Sequence, residues 1–285
     1  MAPEHRERGL DPLAQTLRRH DRDRYLTTLF APADRRRALL ALYAFNFEVA
    51  KIREITHEPL LGQMRLQWWR EEIDGIYAGT VRRHEVAVPL AEAIRGFALT
   101  RGHFERILEA RGADMEDAPP ESIAALEAYA EDTSGRLAQL ALEILGSREA
   151  GAQEAARHVG VAWALVGTLR ALPIQARMHR SLLPRDLTQE SGLKERELWE
   201  LRSTPALERV VRRVGDIARD RLAAARRLRA AVPRGAIPAL LVAPLADLHL
   251  RRLAQAGYNP FDPLLVRPDA LAGWRLAFAA LRSRF

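Results

Sequence analysis

Asp23–Glu54 reads DRYLTTLFAPADRRRALLALYAFNFEVAKIRE. Apolar residues recur along it at spacings of three and four, the period of a helix that buries one face. Pro32 falls where a helix would begin, because its missing N–H is one that a first turn leaves unbonded anyway. The stretch therefore predicts a short helix from about Asp21–Arg24, carrying YLTTLF, and a longer one after Pro32 that runs to Glu54.

The same period continues outward. Pro59 marks a break before LLGQMRLQWWREEIDGIYAG, which ends at Gly79. Shorter helices fit Val88–Leu99 and His103–Ala110. Ser122 follows the loop DAPPES and is placed to cap IAALEAYAEDTSGRLAQLALEIL, which stops at Gly146. Further helices are expected over Ala152–Leu172, Thr204–Ala231, Ile237–Ala254 and from about Asp269. Period-two runs of Val, Ile and Thr are scarce, and no internal repeat or long linker appears. The expectation is an all-α chain, with residues 1–20 a leader and 21–285 one helical bundle.

Composition narrows the chemistry. The 285 residues hold no cysteine, which excludes disulfides, thiolate zinc sites and cysteine nucleophiles. The eight histidines form no HExxH or other close pair, so no metal site is expected from them. No glycine-rich phosphate loop is present, and Ser134–Gly135 is not a nucleophile elbow. The net charge is +7, carried by arginine, since Lys51 and Lys194 are the only lysines. Solvated helix faces account for such a bias, and so does a surface for anionic lipid, diphosphate or an acidic partner. The arginines are spread rather than striped and no zinc finger or RNP-type motif appears, so nucleic acid is not expected as a partner. MAPEHRERGLDPLAQ lacks an apolar core, and AIPALLVAPLA at Ala236–Ala246 is too short to span a bilayer. A cytoplasmic protein, soluble or peripheral to a membrane, is the expectation.

A second segment, HVGVAWALVGTLRALPIQARMHRSLLPRDL at His158–Leu187, decides the site. Together with Asp23–Glu54 and QWWRE at Gln67–Glu71 it resembles the squalene/phytoene synthase family over roughly residues 20 to 280. YAF, the Leu169–Arg170 pair and LP-x-D at Leu183–Asp186 carry the likeness. The resemblance implies a helical bundle around a deep apolar cavity. It also implies two DxxxD motifs on facing helices that hold magnesium against prenyl diphosphates. Residues i and i+4 share a helix face, so two carboxylates converge on a hard cation.

The motif positions depart from that pattern. Aligned on YAF, the first pair falls on Ala50 and Glu54; aligned on the LR pair, the second falls on Ala171 and Gln175. One carboxylate remains of four. Glu48 does not replace the missing one, because six residues on from it Glu54 lies about 240° around a helix. Lys51 stands beside Ala50, and Pro173 is expected to kink or end the second helix. From Ala155 through Arg185 there are five arginines and no acid. Arg170, Arg177 and Arg180 are the candidate anion or diphosphate site, since a guanidinium binds phosphate oxygens in bidentate fashion. The alternative is pairing with acids of other helices, such as Glu127 or Glu131. Tyr25, Phe47 and Trp163 are the candidate cavity residues, with core packing as the alternative for each. Trp68 and Trp69 are adjacent, so one is expected in the core and the other at a surface.

One branch of the family, that of the mitochondrial complex I assembly factor, is the better match. It is similar at AFNFEVA (Ala44–Ala50), at Gly62, Met64, Arg65, Gln67 and Trp69, and at YAE (Tyr129–Glu131). LEILG (Leu142–Gly146), LRALP (Leu169–Pro173) and LLP (Leu182–Pro184) extend the match. The resemblance implies a non-catalytic protein assisting assembly of respiratory complex I, whose subunits or assembly intermediates are its partners. It would sit peripheral to a bacterial inner membrane. No cofactor is expected on that reading. Two alternatives stay open: a magnesium-dependent prenyl transferase, and a module that binds a prenyl lipid or an anionic membrane surface without chemistry.

Overall fold

Four helix starts follow directly from capping chemistry. Asp11, Asp21, Ser122 and Thr204 each turn a side-chain oxygen back onto an amide of the first turn behind them, those of Leu13, Arg24, Ala125 and Leu207. The computed structural model describes residues 11–56, 58–116, 118–267 and 269–285. Among these no strand occurs. The helices are α1 (Pro12–His20), α2 (Arg22–Thr28), α3 (Ala33–Ala50), α4 (Ile52–Ile55), α5 (Pro59–Tyr77), α6 (Ala87–Phe97), α7 (Arg101–Ala110), α8 (Ile123–Ala130), α9 (Arg136–Ile144), α10 (Ala150–Arg177), α11 (Arg185–Ser191), α12 (Glu195–Trp199), α13 (Pro205–Arg227), α14 (Val242–Gln255) and α15 (Ala272–Leu281).

Helix α10 is the axis of the bundle. It packs on α8, α9, α13 and α14, and Val159, Ala162, Leu165, Leu172 and Ala176 are buried along its length. It is apolar around much of its circumference, as an enclosed helix must be. By length and composition it could cross a membrane, but most of its apolar window is buried inside the bundle. One buried cluster runs through the molecule from Leu13 to Phe285.

Three features differ from the expectations. Residues 12–20, within the stretch read as a leader, form α1, whose Leu13, Ala14 and Leu17 are buried and which packs on α3. Residues 1–10 lie outside the described residues. The helix expected to run to Glu54 stops at Ala50. Lys51, at ψ −9, tightens the chain so that Glu54 N donates to Lys51 O at 2.9 Å, and α4 follows as a separate turn. Pro173 neither ends α10 nor shortens it, and the helix continues to Arg177. The proline loses one backbone bond, but neighbours on several sides fix the helix path, so packing outweighs that local cost.

Between α8 and α9 the segment Glu131–Gly135 forms a π turn. Gly160 of α10 lies directly against it. A Cβ at Gly160 would fall 2.3 Å from the Ser134 carbonyl oxygen and 2.6 Å from Gly135 Cα. Two backbones meet here with no room for a side chain.

Candidate functional site

The α1–α2 corner, α10, α14 and the stretch Pro260–Ala272 enclose a cavity of about 620 Å³. Leu26, Val166, Leu169, Leu245, Leu253 and Leu265 supply apolar wall. Its polar part is cationic: six arginines (Arg19, Arg22, Arg24, Arg170, Arg252 and Arg267) against three aspartates (Asp21, Asp23 and Asp269), with His20 and His249. Apolar side chains and guanidinium groups lining one cavity suit an amphiphile with an anionic head.

The local pairs decide which charges are available. Asp21 holds Arg24 at 2.9 Å, and the other arm of Arg24 donates to Ser134 Oγ at 3.2 Å across to the π turn. The Arg24 guanidinium lies 5.9 Å from the centre of the Tyr43 ring, whose hydroxyl is pushed up to about 12 by burial. Asp23 holds Arg170 at 3.0 Å, and Arg170 also lies 5.6 Å from the Trp163 ring. Arg19, Arg22 and Arg267 make no ion pair among the described residues. His249 is pushed down to about 3, first by burial and then by Arg170 and Arg252, so its imidazole is neutral at physiological pH.

Of Arg170, Arg177 and Arg180, only Arg170 lines this cavity. Arg177 is exposed at the end of α10. Arg180 reaches away to the carbonyls of Asp114 and Glu116, at 3.1 and 3.2 Å. Arg157 is held by Glu131 at 2.5 Å and also by Glu154, and Arg185 by Glu121 at 3.0 Å. The acid-free run is thus met largely by acids from elsewhere in the chain. Glu131 is among them; Glu127 instead pairs with Arg221, at 2.7 Å.

Trp163 lines the cavity, while Tyr25 and Phe47 do not. Phe47 is half-buried and stacks at 4.9 Å on His20, which does line it. Tyr25 is half-buried against the core. The helices carrying the two motif positions, α3 and α10, are thereby linked through the α1–α2 corner: His20 touches α3 and Asp23 touches α10. Trp69 is buried edge-on to Phe45, whereas Trp68 is half-buried under Arg82, with its ring 5.6 Å from that guanidinium.

The motif positions do not fit a magnesium cluster. Ala50 ends α3, and Glu54, on the separate α4, is exposed. Lys51 pairs with Glu48 at 2.5 Å. Ala171 carries no ligand atom. Gln175 Oε1 is buried without a hydrogen-bond partner among the described residues, but a single neutral oxygen does not neutralise a divalent ion. No three His, Cys, Asp or Glu side chains cluster as metal ligands among the described residues.

Asp21, Asp23, His249, Arg252 and Arg267 are site residues that the motifs of the sequence do not mark. The alternation DRDR at Asp21–Arg24 is the available signal for the first two. A lone histidine in an arginine-rich helix gives none.

The family model for squalene/phytoene synthase matches residues 17–276. A relative in Bos taurus, NADH dehydrogenase (ubiquinone) complex I, assembly factor 6, is 32% identical over 271 residues, covering 95% of this chain and 81% of that protein. The presqualene diphosphate synthase of Rhodopseudomonas palustris is 28% identical over 172 residues, 59% of this chain and 60% of that one. In fold, the chain superposes on a dehydrosqualene synthase crystal structure with a TM-score of 0.84 at 18% identity, covering 95% of this chain and 94% of that one.

Proposed function

We infer the function from one premise: this chain belongs to the squalene/phytoene synthase family. It is a member that performs no prenyl transfer and instead assists biogenesis of a respiratory NADH dehydrogenase, acting from the cytoplasmic side of a membrane on subunits or assembly intermediates of that complex. The observation that carries this reading is the state of the four motif positions. Three of them are Ala50, Ala171 and Gln175, none of which lines the cavity, while the helical fold is kept. The similarity to the bovine assembly factor over 95% of the chain supports the respiratory part. Selection on something other than metal-dependent chemistry accounts for a preserved bundle with a missing metal site.

The cavity gives a second reading that is compatible with the first. Arg19, Arg22 and Arg267 around an apolar wall suit an amphiphilic anion, such as a prenyl or phospholipid head group, held without metal. Arg170 would contribute once drawn from Asp23.

Deletion of the gene tests the proposal. Membranes of the deletion strain are expected to lose most NADH dehydrogenase activity while succinate dehydrogenase stays near the parental level. Normal NADH dehydrogenase together with loss of a carotenoid, hopanoid or squalene would replace this reading with the prenyl transferase.

A further inference from the structure

Helix α15 is apolar on two faces, and the bundle accounts for only one. Ala272, Leu276 and Ala279 are buried where the helix packs on α14 and α2. Leu271, just ahead of the helix, is 60% exposed, Trp274 77%, Phe278 54% and Leu281 86%. Steps of three, four and three residues keep these four within an arc of about 80° on the outer side. Val266, 79% exposed on the preceding turn, extends the apolar surface. A solvated helix carries polar residues outward, and a contiguous apolar patch of this kind marks a surface that another phase or partner covers.

Charge and position identify what covers it. From Pro263 to Phe285 the sequence has four arginines and one acid, Asp269. Asp269 is already paired with Arg275, at 3.4 Å. The Arg282 guanidinium sits 4.0 Å from the centre of the Phe278 ring, and Arg284 is exposed. Trp, Phe and Leu side by side with Arg282 and Arg284, which make no ion pair among the described residues, is the composition of a helix lying in a membrane interface. There the rings enter the acyl boundary and the guanidinium groups meet lipid phosphates. The same segment reaches the cavity: Val266 and Arg267 line it, as does Ala272 on the buried side of α15. We propose that the outer face of α15, with Val266, docks on an anionic phospholipid bilayer and presents the cavity mouth to it. The proposal names the membrane contact of the function above, yet vesicle binding and the respiratory phenotype can fail separately.

The test uses the full chain and sedimentation with vesicles. Binding is expected to vesicles of phosphatidylcholine and phosphatidylglycerol in equal parts, and to weaken about tenfold or more on phosphatidylcholine alone. The double variant Trp274→Ser, Phe278→Ser is expected to lose about tenfold or more of the binding. Both side chains are largely exposed, so its thermal unfolding should match the parent. An independent measurement uses the unaltered surface: lipids brominated in the acyl chain should quench part of the tryptophan emission, and Trp274→Phe should abolish that part. Equal binding to both vesicle types, or no effect of the double variant, would overturn the proposal. So would an unquenched Trp274. A dimer that the same double variant dissociates would assign the face to a second copy of this chain and overturn it as well.

Discussion

Purified protein incubated with farnesyl or geranylgeranyl diphosphate and magnesium is expected to form no squalene or phytoene above a no-protein control. Ionising an allylic diphosphate leaves negative charge that metal ions must neutralise, and each such interaction contributes several kcal/mol in the transition state. Every ~1.4 kcal/mol is a factor of ten in rate. A site keeping one of four carboxylates should therefore run at least about a thousandfold below a synthase that has all four. Installing Asp at Ala50, Ala171 and Gln175 together is not expected to restore turnover. The obstacle is α3, which ends at Ala50 and leaves Glu54 exposed on a separate turn, so the first pair would not converge as i and i+4 on one helix do. Lys51, already bound to Glu48, stands beside the restored group. Measurable product from the unaltered protein would contradict the proposed function outright.

The second large effect concerns the fold. Gly160→Ala should destabilise by about 3 kcal/mol or more and lower the Tm by roughly 5–10 °C. The added methyl would meet backbone atoms, Ser134 O at 2.3 Å and Gly135 N at 2.7 Å, so no side chain can swing aside to relieve it. Either α10 moves off the π turn or the turn unwinds, and both disturb the Arg24–Ser134 contact at 3.2 Å. Gly167→Ala on the same helix supplies the contrast. Nothing lies within 4 Å of its Cβ, and replacing a mid-helix glycine there should stabilise by about 0.5–1 kcal/mol. Equal melting temperatures for the two variants would show that the close approach is not real. Differential scanning fluorimetry is sufficient to distinguish them.

How far the sequence reaches can be seen at individual residues. The helical period around YAF and LRALP, the proline starts and the Ser122 cap lie in local sequence, and the all-α bundle follows from them. The motif positions were legible for the same reason, since an i, i+4 carboxylate pair is a local pattern whose absence shows. That α10 continues past Pro173 to Arg177 is not legible locally, because a propensity rule weighs only the lost backbone bond and the packing around α10 is tertiary. The pairing of Arg170 with Asp23 spans 147 positions, and no local pattern announces it. The cavity is likewise assembled from three stretches far apart in the sequence, around Arg19–Leu26, Trp163–Pro173 and Leu245–Ala272. The helical period carries through Glu131–Gly135 and so predicts one continuous helix, although EDTSG, poor in strong helix formers beside the Ala- and Leu-rich segments it joins, is a local sign of the interruption.

The central claim is that this bundle serves the respiratory chain without metal-assisted chemistry, and one rescue experiment addresses it most directly. The deletion strain is complemented either with the unaltered gene or with Glu54→Gln, which removes the last motif carboxylate. Glu54 is exposed, so the substitution leaves folding intact. The expected result is equal recovery of membrane NADH dehydrogenase activity by both genes. Recovery by the unaltered gene and none by Glu54→Gln, with the variant protein present at a normal level, would show that the remaining carboxylate does chemistry and would contradict the account.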